Sequence, residues 1–272
     1  MAKNFVCVRL QSMNGRNIEL FQFEFDLTFM SFFMDANNRF YSRYGGRDGT
    51  DAESHLNKES LLRVMRQVRE LHKDKDVQTS RYEPTAKPLR TPEQIPPMTK
   101  MISRRKNKCI HCHDVKVAGL RHLQARGQFK REMVFTYPTP ANVGIDVDPK
   151  RHNIVRTVKA NSPASAAGIQ KGDTLLSADG QRILSLADFS RVLELKANES
   201  TLPLKVERDG RTVQATLKLS GNWRRGEDPS WRESLHVAGP SNGLWGRKLK
   251  PNERKRLDLA DDVLALKVTF IW

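Results

Sequence analysis

The chain is 272 residues long, 38% hydrophobic and 7% aromatic, which suggests two domains with parts of others rather than one large core. It holds no run of eighteen apolar residues, which excludes a membrane-spanning helix. Its 47 Lys and Arg against 31 Asp and Glu leave a net charge of +16, pointing to nucleic acid or an anionic surface as partner classes. No helix-turn-helix, zinc-finger or RNP pattern accompanies that charge, so nucleic acid is disfavoured and a solvated basic surface is expected.

Phe5 to Leu10 is nearly continuous in apolar residues and reads as a strand buried on both faces, as in a parallel sheet, with Cys7 inside it. A short apolar segment, Ile18 to Leu27, is expected to be a short helix. Phe29 to Met34 reads as the next buried strand. Asp35-Ala36-Asn37-Asn38 supplies a turn and Arg39 to Tyr44 returns as a hairpin partner, ended by Gly45-Gly46. A helix is predicted from Asn57 to His72, with Leu61, Leu62, Met65, Val68 and Leu71 on one face. This order resembles the C-terminal half of a thioredoxin fold. The resemblance implies an earlier strand and helix carrying a Cys-x-x-Cys motif, which nothing before Phe5 supplies. No signal peptide precedes Met1-Ala2-Lys3-Asn4-Phe5, so the natural beginning is expected to lie upstream.

Residues 77–108 read as an exposed linker, because Pro84, Pro88, Pro92, Pro96 and Pro97 crowd it and proline removes donors. Arg104-Arg105-Lys106-Asn107-Lys108 is the densest basic patch. Cys109-Ile110-His111-Cys112-His113 follows, with the Cys-x-x-Cys-His spacing of covalent haem c attachment. Two thiols three positions apart can each form a thioether to one porphyrin, and His113 can reach the iron as axial ligand. Met98, Met101, His122 and Met133 are candidates for the opposite axial position. The alternatives are a zinc site drawing on His111, His113 and His122, a redox dithiol, or no cofactor. Beside a haem, the basic patch would steer an acidic redox partner. A weak helix is expected over Val115 to Gln124, stopped by Gly127.

The clearest domain signal runs over 139–220. Ser162-Pro163-Ala164 opens a short helix that Gly168 stops. Lys171-Gly172-Asp173 turns into the strand Thr174–Ala178, and Asp179-Gly180 turns again. Ser185 caps a second helix with Asp188 as its capping-box partner. Leu202, Leu204 and Val206 alternate up to an Asp209-Gly210 turn, and Val213, Ala215, Leu217 and Leu219 alternate back. These residues closely resemble a bacterial PDZ domain of the HtrA-like type. That resemblance implies a groove between a strand and the second helix, in which a peptide segment or protein terminus adds as an extra strand. Val143, Gly144 and Ile145 occupy the position of its carboxylate-binding loop. Phe189 and Val192 are candidates for lining the side-chain pocket, with the alternative that both belong to the core. Beyond Ser220, Pro251 to Asp261 is expected to hold a short helix. Leu264 to Trp272 reads as the first strand of a second, truncated PDZ-like domain, or else as a strand completing the first.

The fold class expected is therefore α+β multidomain. It comprises a partial thioredoxin-like α/β half-domain (1–76), a proline-rich linker with the Cys-x-x-Cys-His segment (77–138), a β-barrel-like PDZ domain (139–220), and a linker with the start of a second PDZ-like domain (221–272). That order resembles the bacterial thioredoxin-like/PDZ (seleno)protein family. In that family the missing upstream motif can use selenocysteine, and an in-frame TGA before Met1 is expected on that view. The resemblance implies an extracytoplasmic, periplasmic protein that binds peptides and carries redox chemistry, with haem c held by Cys109, Cys112 and His113. No catalytic residue is expected in the chain itself. The rivals are a thiol–disulfide oxidoreductase whose active-site motif lies outside the chain, and a PDZ regulatory module of a periplasmic protease system. No Gly-x-Ser-x-Gly segment or Ser/His/Asp set supports a protease domain here.

Overall fold

The computed structural model describes residues 1–74, 80–81, 90–226, 228–238, 244–260 and 262–271. Three antiparallel sheets organise them.

The first sheet is a hairpin of β1 (Met30–Met34) and β2 (Arg39–Gly45), flanked by the short β3 (Ser80–Arg81). Asp35 makes the turn: its carboxylate accepts from the backbone N–H of Asn37 and Arg39 at 2.9 and 3.0 Å, and Asn38 takes the left-handed conformation. Gly45, at φ +145°, passes so close to Phe29 that a Cβ there would lie 2.4 Å from the Phe29 carbonyl oxygen. Helix α1 (Lys58–Lys73) packs on β2 through Val64 and Val68. Asn57 caps it, accepting from the N–H of Glu59 and Ser60.

Two expectations for this region are corrected. Phe5–Leu10 forms no strand, and Cys7 is exposed rather than held in a sheet. Val6 is 95% and Val8 77% exposed; apolar β-formers do not make a strand where no neighbouring strand pairs with them. Ile18–Leu27 forms turns rather than a helix. Its Phe-Glu-Phe-Asp alternation at 23–26 sends residues two ways. Phe23 and Phe25 stack edge-on at 4.7 Å, with Phe23 also 5.7 Å from Phe32 of β1. Glu24 and Asp26 are buried among cations.

The segment 90–108 is likewise not the extended, exposed linker expected. Pro84 and Pro88 lie outside the described residues, but Pro92 opens a 3-10 turn and Pro97 precedes α2 (Met98–Ile102). Ile95, Met98 and Ile102 share a small core with Met13, Ile110, Val115 and Ala118. Helix α3 (Cys112–Ala125) begins inside the Cys-x-x-Cys-His motif, earlier than Val115, and Gly127 follows its end at φ +64°.

The central sheet runs β4 (Ile145–Asp148), β5 (Arg151–Val158), β6 (Thr174–Ala178), β8 (Ser200–Arg208) and β9 (Arg211–Leu219), with β7 (Gln181–Arg182) paired to β6. Helices α4 (Pro163–Ala166) and α5 (Leu186–Glu194) interrupt it where the caps at Ser162 and Ser185 place them. Leu202, Leu204 and Val206 of β8 face Leu217 and Leu219 of β9 in one core with Phe189 and Leu193 of α5. Both Asp-Gly turns form with positive φ at each residue.

Beyond it, α6 (Glu233–Ala238) packs on α3. Strand β10 (Leu244–Lys248), α7 (Pro251–Arg256) and β11 (Leu266–Ile271) form a separate two-stranded ribbon. The C-terminal strand therefore does not complete the central sheet. No helix among the described residues is long and apolar enough to cross a membrane.

Candidate functional site: the β4–α5 groove and the Cys-x-x-Cys-His turn

Strand β4 ends the central sheet, hydrogen-bonding only to β5 among the described residues. Its outer edge carries backbone donors and acceptors free to pair with an added strand. The loop leading into it is a 3-10 turn at Pro140–Val143 capped by Thr139. Gly144 closes the turn at φ +88°. A Cβ there would lie 2.1 Å from Ser162 Oγ, so glycine alone fits. Ser162 in turn donates to the Lys159 carbonyl at 2.6 Å, and Lys159 N–H donates to the Gly144 carbonyl at 2.9 Å.

The sequence-chosen residues come together here. Val143 and Ile145 from the loop and strand, and Phe189 and Val192 from α5, belong to one core cluster, each 2% exposed or less. All four are buried in the central core, which is the core alternative for Phe189 and Val192.

Sequence reasoning missed how α5 is held at both ends by chain outside 139–220. At its start, Asp188 accepts from Leu184 and Ser185 N–H, both at 3.1 Å, and also from Ser42 Oγ and Arg43 N–H of β2, both at 2.7 Å. Ser185 Oγ donates back to the Arg43 carbonyl. Burial pushes the Asp188 carboxyl above its ordinary range, opposed by these donors. At its end, Arg224 donates to the Glu194 carbonyl at 3.0 Å and pairs with the Glu194 carboxylate at 3.1 Å. Trp223 enters the central core beside it. Asn142 Nδ2 reaches the carbonyls of Trp223 and Arg224 at 3.2 and 3.0 Å, tying the loop to the same segment. A tryptophan just after a Gly-Asn turn, in an otherwise polar stretch, was the available signal.

The Cys-x-x-Cys-His motif is a loop-to-helix turn. Ile110 at its centre is fully buried, with its N–H donating to Asn14 Oδ1 and its carbonyl accepting from Met13 N–H. Arg105 is not part of a solvated patch: it forks onto Asp114 at 2.6 and 2.7 Å and donates to the Cys109 carbonyl at 2.9 Å. Arg104, Lys106 and Lys108 are exposed. Cys109 and Cys112 are free thiols of intermediate exposure, and burial pushes the Cys112 thiol up. The His111 and His113 rings lie 5.8 Å apart, and His113 Nδ1 is 3.5 Å from Glu233. Met98 is fully buried in the neighbouring core, Met101 packs against it, and His122 sits in the last turn of α3. Among the described residues no group of three or more His, Cys, Asp or Glu is placed to hold a metal ion.

Comparison with known proteins bears on the central sheet. The PDZ domain family model matches residues 141–219. Metalloprotease MmpA of Caulobacter vibrioides is 43% identical over 67 residues, covering 25% of this chain and 17% of that protein. A probable periplasmic serine endoprotease, DegP-like, of Pseudomonas savastanoi is 30% identical over 118 residues, 43% of this chain and 25% of the relative. The chain thus spans a quarter or less of these relatives. The HtrA3 PDZ domain bound to a phage-derived ligand is similar at 22% identity, a TM-score of 0.22, and coverage of 29% of this chain and 66% of that one. Caps, turns, strand order and the matched family model agree: residues 141–219 are a PDZ domain.

Proposed function

We propose that this chain is an extracytoplasmic binding protein whose PDZ domain takes an extended peptide segment or chain terminus as an added strand on β4. The observation that carries this is the terminal position of β4 beside the Gly144 loop and α5. Main-chain pairing supplies affinity in that mode, and alternate side chains supply selectivity. The relatives that share the domain are named as proteases, two of them periplasmic. Their names support a PDZ module that presents or senses peptides for a protease system. The test is titration of the full chain with hexapeptides bearing free or amidated C termini. Binding that is lost when alternate backbone nitrogens are methylated supports strand addition. Binding indifferent to methylation, or no binding by the folded chain, overturns it.

A second reading concerns Cys109, Cys112 and His113, for which covalent haem c remains a proposal. Both thiols are free and partly exposed, as bond formation to a vinyl group requires. A thiol–disulfide role draws less support, because a thiol raised by burial is a poorer nucleophile at neutral pH. The test is the visible spectrum of the chain exported to a periplasm with haem-attachment machinery. A Soret band that survives acid–acetone extraction and vanishes in Cys109→Ala supports haem; folded, exported protein without the band rules it out.

A further inference from the structure

The exposed wall of α5 is covered by the chain's own N-terminal hairpin. Leu186, Ala187 and Ser190 of α5, with Thr139 of the loop into β4, line a cleft that Gly46 and Arg47, at the end of β2, close from the other side. Gly46 comes so near that a Cβ on it would lie 3.2 Å from Leu186 Cδ2. Ala187 and Ser190 are left only 6% and 7% exposed. A strand added on the outer edge of β4 lays its alternate side chains against this helix, so it competes with the hairpin for the same wall.

Cover and domain are built to separate. The central core consists of residues 143–223. The hairpin and α1 share a second core around Phe33, Tyr44, Val64 and Val68, to whose buried residues the PDZ domain adds only Leu184 among the described residues. What joins β2 to α5 is polar: Asp188 accepts from Ser42 Oγ and Arg43 N–H, both at 2.7 Å, and Ser185 Oγ donates to the Arg43 carbonyl. Tyr44 also stacks on His152 of β5. When β2 lifts, Asp188 keeps the N–H groups of Leu184 and Ser185, so the α5 cap survives, and the freed groups pass to water. The closed contact is also imperfect. Arg43 Nε, Arg47 Nε, Ser190 Oγ and Trp231 Nε1 are buried around the cleft with no hydrogen-bond partner among the described residues. Each has lost water without replacement, which favours opening.

We propose that the end of the β1–β2 hairpin is an intramolecular cover on the PDZ groove, and that a peptide binds the state in which β2 has lifted from α5. The proposal rests on the strand-addition reading of β4. A ligand that needs the lifted state binds more weakly in proportion to the fraction of chain in that state. Unseating β2 therefore tightens binding, the opposite of what losing a merely structural bond does.

The experiment is calorimetric titration of the parent chain, Ser42→Ala and Gly46→Val with the free-C-terminus hexapeptides that test strand addition, together with hydrogen exchange of the parent with and without peptide. Ser42→Ala removes one bond to Asp188 and leaves the α5 cap. Gly46→Val drives a branched side chain at Leu186 from a backbone at φ +130°. Both variants are expected to bind the same peptide at least about fivefold more tightly than the parent. Peptide is expected to speed exchange of the Arg43 amide while protecting β4. Equal or weaker binding by the folded variants, or an Arg43 amide that stays protected in the peptide complex, overturns the cover and leaves strand addition standing. No binding by any of the folded proteins overturns both. A cooperative melt establishes that each variant is folded, and Ser42→Ala alone carries the test where Gly46→Val does not fold.

Discussion

Ser42 Oγ donates to Asp188 Oδ2 at 2.7 Å across 146 residues of sequence. Asp188 is thereby more than the capping-box partner of Ser185. One oxygen closes the start of α5 through Leu184 and Ser185 N–H, and the other accepts Arg43 N–H at 2.7 Å. The residue that begins the PDZ helix is also the rivet joining it to the N-terminal hairpin. Ser42→Ala is expected to cost about 1 kcal/mol, and Asp188→Ala about 3, because the latter leaves several buried donors unpaired. A double-mutant cycle by urea unfolding is expected to show coupling of about 1 kcal/mol. Additive effects would count against the rivet.

Buried charge does the corresponding job on the other flank. Lys116 Nζ pairs with Glu24, lies 3.1 Å from Asp26 and donates to Thr136 at 2.8 Å, while Ser234 N–H and Oγ hold Asp26 at 2.9 and 2.7 Å. This cluster joins the 23–26 segment, α3 and the start of α6. Breaking a buried set by removing one partner strands the others, so Lys116→Met is expected to cost about 3–5 kcal/mol. Lys150–Glu59, with both side chains more than 60% exposed, is the control: Lys150→Ala is expected to cost under about 1 kcal/mol. Equal costs in denaturant unfolding would show that burial is not what matters.

What was legible in the sequence follows the range of the interaction that decides it. Ser162-Pro163, Ser185-x-x-Asp188 and the two Asp-Gly pairs act within a few residues, so the PDZ elements could be placed from them. The same holds for Asn57 as the cap of α1. Phe5–Leu10 has the composition of a strand, but pairing is a property of a neighbour the sequence does not name. Glu24 and Asp26 find their partners up to 208 residues away, and the alternation with Phe23 and Phe25 was the only local trace. The proline-rich stretch misled because Pro92 starts a turn as readily as it prevents a helix. At the site, Val143, Ile145, Phe189 and Val192 were legible as residues that pack together, and all four lie in the central core. The attachment of Asn142 to Trp223 and Arg224 was not, since it joins segments that no local pattern links.

Backbone conformation separates two glycines that look alike in sequence. Gly144 and Gly168 both have positive φ, at +88° and +74°. A Cβ at Gly144 meets Ser162 at 2.1 Å, whereas nothing lies within 4 Å at Gly168. Gly168→Ala is therefore expected to cost about 1 kcal/mol from conformation alone. Gly144→Ala is expected to cost several-fold more and to shift the loop that leads into β4. Melting temperatures of the two variants check this; similar losses would mean that the close approach to Ser162 is relaxed in solution.

His152 gives the fold an acid-sensitive joint. Its ring stacks on Tyr44 of β2 at 5.2 Å with the planes 3° apart, it is 2% exposed, and neither ring nitrogen has a side-chain partner. Burial, with a smaller push from His55, lowers it from 6.5 to about 4; the Pro149 backbone and then Asp148 pull the other way. The native state thus keeps this imidazole neutral where the unfolded chain protonates it. Its contribution is complete above pH 6.5 and is lost as pH falls toward 4, because the unfolded state there binds the extra proton. The full span is worth about 3 kcal/mol. Glu24 acts in a lower window, from its ordinary 4.5 down to about 2, so the two are separable. Urea unfolding at pH 7.5 and 4.5 is expected to show a loss in the parent chain that His152→Phe, which keeps the stack on Tyr44, largely removes. The same pH dependence in both proteins would place the acid sensitivity elsewhere.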